Sequence, residues 1–114
     1  MLFDLDAGGE HWYSPELLRT KGEILRLEPS ASDAETAEHC FLQARDLARR
    51  QQALSWELRA AMSLGKLWHQ SGKIDEANAL VSDVYGRFTE GFGTADLRAA
   101  RSLIDRFHGA LGRA

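Results

Sequence analysis

The sequence predicts an all-α domain of five helices, arranged as two antiparallel pairs plus a C-terminal closing helix. Three observations predict it. Apolar residues recur at steps of three and four, and no segment alternates with the period of two that a strand needs. Breaks at Pro29–Ser32, Ser71-Gly72 and Gly91–Gly93 cut the chain into pieces of helical length. The pattern of the first helix pair returns, more strongly, in the second. With 114 residues, 44% of them hydrophobic, the chain is sized for a single core that needs neither metal nor disulfide. The helical domain is expected over residues 14–110, between a polar lead at 1–13 and a short tail at 111–114.

Ser14-Pro15-Glu16 is a helix start, because serine caps free amides, proline suits the first turn and glutamate favours the positive helix end. The first helix is predicted from Pro15 to Leu27, with Leu17, Leu18, Ile24, Leu25 and Leu27 on one apolar face. Ser32-Asp33-Ala34-Glu35 reads as a capping box for a second helix from Asp33 to Gln51, which would bury Ala37, Cys40, Phe41, Ala44, Leu47 and Ala48. The third begins near Ser55, aligns Leu58, Ala61, Leu64, Gly65 and Trp68, and stops at Ser71-Gly72. The fourth opens near Ile74 with Asp75 and Glu76 in its first turn, and its apolar positions continue to Phe88 before the glycine break. Thr94 caps the fifth, from Ala95 to Ala110, whose buried face is Leu97, Ala100, Leu103, Ile104 and Phe107.

Seventeen acidic against fourteen basic residues leave a net charge of -3, which supplies no long-range attraction for nucleic acid or an anionic membrane. The distribution is uneven: residues 1–38 hold nine acidic and three basic side chains, and residues 39–73 hold two acidic and six basic. Cys40 is the single cysteine, so an internal disulfide is impossible and the usage suits a reducing cytoplasm. The acidic start lacks the basic region of a signal peptide, and no apolar run is long enough to span a bilayer. His11, His39, His69 and His108 show no ligand spacing, so neither a metal nor a cofactor is expected.

Leu64-Gly65-Lys66-Leu67-Trp68, then Gly72, Asp75-Glu76-Ala77 and Val81, resembles the tetratricopeptide repeat. Small residues at Gly65 and Ala77 would let two antiparallel helices approach, with Trp68 filling the space beside them. Gly22, Ala37 and Phe41 stand in a weaker copy, at a longer period than the roughly 34 residues of the standard repeat. Thr89 stands at the closing proline, and Ala61 at the first aromatic. Three phrases look like the C-terminal repeat tail of bacterial signalling ATPases, including those fused to adenylate or guanylate cyclase domains. They are Trp12–Leu18, Ser55–Ala61 and Val84–Phe92 with Thr94–Leu97. In that family the tail regulates and binds, and other domains catalyse; the phosphate-binding loop of the ATPase part has no counterpart in this sequence. The resemblance implies a non-catalytic protein-interaction module, either free-standing or descended from a longer protein.

The resemblance also implies a groove lined by the first helix of each pair. Carried over by matching positions, it would present Arg19, Glu23 and Arg26, then Arg59, Met62, Lys66 and His69, with Arg98 and Arg101 closing one side. Arginines and a methionine suit a peptide that offers a carboxylate and an apolar side chain. A short array without a polar cap also exposes apolar surface, so a second copy is one candidate partner, met through Phe3, Trp12, Tyr13 and Leu17. The alternatives to a binding module are a structural self-assembly unit, and a small-anion or nucleotide sensor built on His69 and the arginines.

Overall fold

A computed structural model of the chain describes residues 14–27 and 31–111. Five helices follow in order: α1 (Pro15–Arg26), α2 (Ala31–Arg50), α3 (Leu54–Gln70), α4 (Ile74–Tyr85) and α5 (Ala95–Leu111), with no strand among the described residues. Their starts have local causes. The Leu17 amide donates to Ser14 Oγ at 3.0 Å with Pro15 in the first turn, and the Leu97 amide donates to Thr94 Oγ1 at 3.4 Å. Two boundaries differ from the sequence expectation. Helix α2 begins at Ala31, which puts Ser32 inside the first turn, and α4 stops at Tyr85, short of Phe88, with Gly86 as a right-handed C-cap.

Helices α2 and α3 end alike. The Ala53 amide donates to the Ala48 carbonyl at 2.9 Å and the Gln52 amide to that of Arg49 at 3.1 Å; Lys73 and Gly72 repeat this pair on Trp68 and His69 at 2.8 and 3.1 Å. Both turns need a left-handed residue, which is Gly72 at φ 87° in one and Gln52 at φ 56° in the other. A β-carbon at Gly72 would meet no neighbour, so its cost there is purely conformational. Gln52→Gly is therefore expected to stabilise the chain by about 0.5 kcal/mol, and Gly72→Ala to destabilise it by about 1 kcal/mol. Urea titrations of the two variants measure both signs.

Each helix packs on its neighbour in sequence, α1 also packs on α3 and α3 on α5, while the backbones of α2 and α4 stay apart and meet only through long side chains, as where Arg49 Nη2 lies 4.0 Å from Asp83 Oδ2. The odd helices thus form one layer and the even helices the other, and the shortest dimension of 19 Å is two helix diameters. Phe41 and Leu64 are buried between α2 and α3; a larger cluster around Leu58, Val81, Leu103 and Phe107 joins α3, α4 and α5. Trp68 and Leu80 pack against both.

One contact recurs in both helix pairs. A β-carbon on Gly22 would lie 2.5 Å from the Phe41 ring, and one on Gly65 would lie 2.8 Å from Val81 Cγ2. Glycine in the first helix of each pair therefore faces the bulky residue four positions after a fully buried alanine, Ala37 or Ala77. The first helix departs from its expected face. Leu18 and Gly22 are buried, but Leu17, Ile24 and Leu27 are 44%, 62% and 76% exposed. They lie around the helix from the Leu18–Gly22 stripe, and no described helix covers that side.

Candidate interaction surface

Glu16, Arg19, Glu23 and Arg26 stand at steps of three and four on α1, so they share one stripe. Because α1 packs on α3, and α3 on α5, the stripe meets polar groups from both. Arg19 Nε donates to Glu16 Oε1 at 2.8 Å, and its Nη1 donates to Ser63 Oγ at 3.2 Å. Ser63, 3% exposed, passes the link on by donating to Glu23 Oε2 at 2.7 Å. Arg26 Nε donates to Glu23 Oε1 at 3.0 Å. At the other end Arg59 Nε donates to Asp96 Oδ2 at 3.0 Å, its Nη1 donates to Glu16 Oε2 at 3.4 Å, and its guanidinium lies 5.3 Å from the Trp56 ring centroid. Three arginines and three carboxylates make a ladder across the odd-helix face.

The ladder lowers the pKa of both its glutamates. The Arg19 hydrogen bond, acting against partial burial, holds Glu16 below the ordinary carboxylate range. Burial alone would raise Glu23, but the Ser63 hydroxyl, the Arg26 hydrogen bond and the Arg26 and Arg19 charges together outweigh it. A lowered folded value means that the contribution is fully present above the unfolded value, about pH 4 to 5, and disappears as pH falls through the folded value. Stability is expected to fall more steeply from pH 5 to 3 in the wild type than in a Glu16→Gln, Glu23→Gln variant, which urea titrations at stepped pH measure.

Beyond the ladder lies a cleft of about 150 Å³, with Arg26, Lys66, His69 and Arg106 around it and Leu103 and Phe107 as its apolar floor. His69 lies against Phe107, ring centroids 5.3 Å apart and planes 34° apart. Among the described residues no carboxylate pairs with Lys66 or Arg106, and Arg26 is shared with Glu23. Among the described residues the odd-helix face therefore has a charge-balanced ladder at one end and, at the other, two cations with no paired carboxylate.

A second charged cluster sits where α2 ends, α3 begins and the chain leaves α4. Glu57 is 2% exposed, and its Oε2 accepts from Arg49 Nε at 2.8 Å and from Arg87 Nη2. The Glu57 bond raises Arg49 further above the ordinary guanidinium value. Cys40 is 4% exposed in the core, where burial pushes its thiol up and away from the reactive thiolate.

The structure brings Arg19, Glu23, Arg26, Arg59, Lys66 and His69 onto one face, as the sequence expectation grouped them. It places Met62 against the core, leaves Arg98 exposed, and turns Arg101 toward Asp105 at 3.4 Å. Leu17 is exposed on α1; Phe3, Trp12 and Tyr13 lie outside the described residues. Sequence reasoning missed Glu16, Ser63 and Asp96 in the ladder, Arg106 in the cleft, and Glu57 with Arg87. Only the Glu16–Arg26 alternation of charge at helical spacing carried a signal for its share. No group of His, Cys, Asp and Glu suited to a metal ion occurs among the described residues, and no described helix is long and apolar enough to cross a membrane. No protein-family model, curated protein or solved structure matches the chain.

Proposed function

We propose that the chain is a protein-interaction module of tetratricopeptide character, a regulatory or scaffolding piece related to the tails of bacterial signalling ATPases and cyclases. Its work is binding, carried out in the cytoplasm. The observation that carries this reading is the odd-helix face: three helices present a polar surface whose ladder is held by bonds between helices, so little side-chain freedom is lost when a partner docks. The recurrence of the glycine contact in both helix pairs supports the repeat character. Selection from a displayed random-peptide library, run in parallel on the wild type and on Arg19→Glu, Lys66→Glu, tests the reading. Sequences retained by the wild type and lost by the variant support it. Equal retention, or none by either, overturns it.

A second reading, self-assembly through α1, is favoured by the exposure of Leu17, Ile24 and Leu27. Light scattering over a wide concentration range, on the wild type and on Leu17→Ser, Ile24→Ser, decides it. A dimer that the substitutions convert to monomer supports self-assembly, and an unchanged mass removes it.

A further inference from the structure

Three arrangements that cost stability converge at the start of α3, the end away from His69. Glu57 is a carboxylate only 2% exposed, and a buried ion cluster is in general no more stable than the apolar packing that could replace it. Arg49 and Arg87 bond the same oxygen of it, Oε2, so two like charges stand side by side. Gln52 occupies the left-handed turn position that Gly72 fills after α3, and among the described residues no other non-glycine residue has a positive φ. All four line one cleft of about 250 Å³, with Leu54 as its apolar member. Strain kept at one place in a fold points to a site. We propose that this cleft binds a phosphate monoester, held between Arg49 and Arg87 with Gln52 beside it. The site shares no residue with the odd-helix ladder or its cleft, so it stands or falls apart from the interaction reading.

Donor count and charge select the ligand. Glu57 uses Nε of Arg49 and Nη2 of Arg87, so its bonds leave two nitrogens of each guanidinium for another acceptor. With the Gln52 amide, these offer more donors than the two oxygens of a carboxylate use, and the three terminal oxygens of a phosphate monoester suit such a set. Two guanidiniums against one buried carboxylate also leave a positive charge for the ligand to balance. The other carboxylates near Arg49 are Asp46, paired with Arg45 at 3.3 Å, and Asp83, which is 66% exposed and 4.0 Å from Arg49 Nη2, where water screens it. Glu57 is the anchor: it holds both guanidiniums in place before a ligand arrives, so less side-chain freedom is lost on binding.

Size sets how much of the ligand enters. About 250 Å³ lies below the roughly 300 to 1,000 Å³ of pockets that enclose a whole small molecule. A phosphate group and the carbon bearing it fit, that carbon against Leu54, while the rest of the ligand stays outside.

The test is an NMR titration of the full chain that follows the amides of residues 52–57 and the Nε–H groups of Arg49 and Arg87. The ligands are a blocked peptide carrying phosphoserine, the same peptide with serine or glutamate in its place, glycerol phosphate and inorganic phosphate. The phosphoserine peptide is expected to bind at least about tenfold more tightly than the serine peptide, the equivalent of one charge-assisted bond, with the glutamate peptide between them. Arg49→Lys and Arg87→Lys keep a charge on Glu57 but lose the fork, so each weakens binding about fivefold or more. Gln52→Gly stabilises the fold yet weakens binding about threefold, a divergence that a purely structural role for Gln52 would not produce. Arg49→Ala, Arg87→Ala, Glu57→Leu strands no charge and abolishes binding, and Lys66→Ala leaves it unchanged. Glycerol phosphate bound as tightly as the phosphopeptide assigns the site to small phosphorylated molecules, and a tighter phosphopeptide assigns it to a modified partner protein; both support a monoester site. Phosphoserine bound no more tightly than serine or glutamate, inorganic phosphate bound as tightly as either ester, or binding that survives the arginine substitutions overturns the proposal. The library selection at the odd-helix face depends on other residues, so either site can fail alone.

Discussion

Gly22→Leu and Gly65→Leu should each destabilise the chain by more than about 3 kcal/mol, beyond ordinary overpacking. Even a β-carbon on Gly22 would sit 2.5 Å from a Phe41 ring that is fully buried, and one on Gly65 would sit 2.8 Å from an equally buried Val81. Neither neighbour is a flexible end that swings into solvent, so the whole second helix of the pair must move away. For a domain of this size the expected fall in Tm is on the order of 15 °C. Two controls separate packing from helix propensity. Gly109→Ala, on α5 with nothing within 4 Å, is expected to stabilise by about 0.5 to 1 kcal/mol, the usual gain of alanine in a helix. Gly22→Ala with Phe41→Leu should recover part of the loss seen in Gly22→Ala alone, because the smaller side chain makes room. Thermal and urea unfolding read all of these, and a Gly22→Leu change below about 0.5 kcal/mol would show that the α1–α2 contact is not formed.

The second large effect belongs to Glu57. It is held by two arginines whose side chains are themselves 48% and 42% exposed, so solvent screens the outer partners while the carboxylate stays out of water. Removing both, as Arg49→Ala, Arg87→Ala, leaves an uncompensated buried charge and is expected to cost about 3 kcal/mol. Either substitution alone costs less, because one bond to the same oxygen remains. The informative variant is Glu57→Leu in the background of the double substitution. Replacing the stranded charge by an apolar side chain should return most of the lost stability, as for other buried ion clusters. If the double variant is as stable as the wild type, Glu57 is hydrated and the ion cluster contributes nothing.

The elements differ in how far the sequence alone could place them. Ser14-Pro15, Thr94 and Ser71-Gly72 act within one helical turn, and each sits at the helix end that was expected of it. Gln52 carried no such signal, because glutamine has no preference for the left-handed turn it occupies; the turn is imposed by the helices on either side. At Ser32 the sequence expected a helix from Asp33, and α2 runs from Ala31. For the candidate surface, Arg19, Glu23 and Arg26 of α1 and Arg59, Lys66 and His69 of α3 share a face while Met62 packs against the core; helical spacing puts each set on one side of its own helix, and the packing of α1 on α3 joins the two sides.

By itself, then, the sequence determined the helices, their approximate ends, the small residues at which they approach, and the core of α2 through α5. Those properties depend on neighbours a few residues away, or on a period that a helix imposes. Tertiary structure alone decided that Leu17, Ile24 and Leu27 face outward while Leu18 faces in, that Ser63 joins Arg19 to Glu23 across two helices, that Arg59 reaches Asp96, and that Glu57 is buried beneath Arg49 and Arg87. The physical reason is the same in each case. A helix repeats its side chains around its axis whatever lies beside it, and which of them becomes core, ion pair or open surface is set by the helix that arrives there from a distant part of the chain.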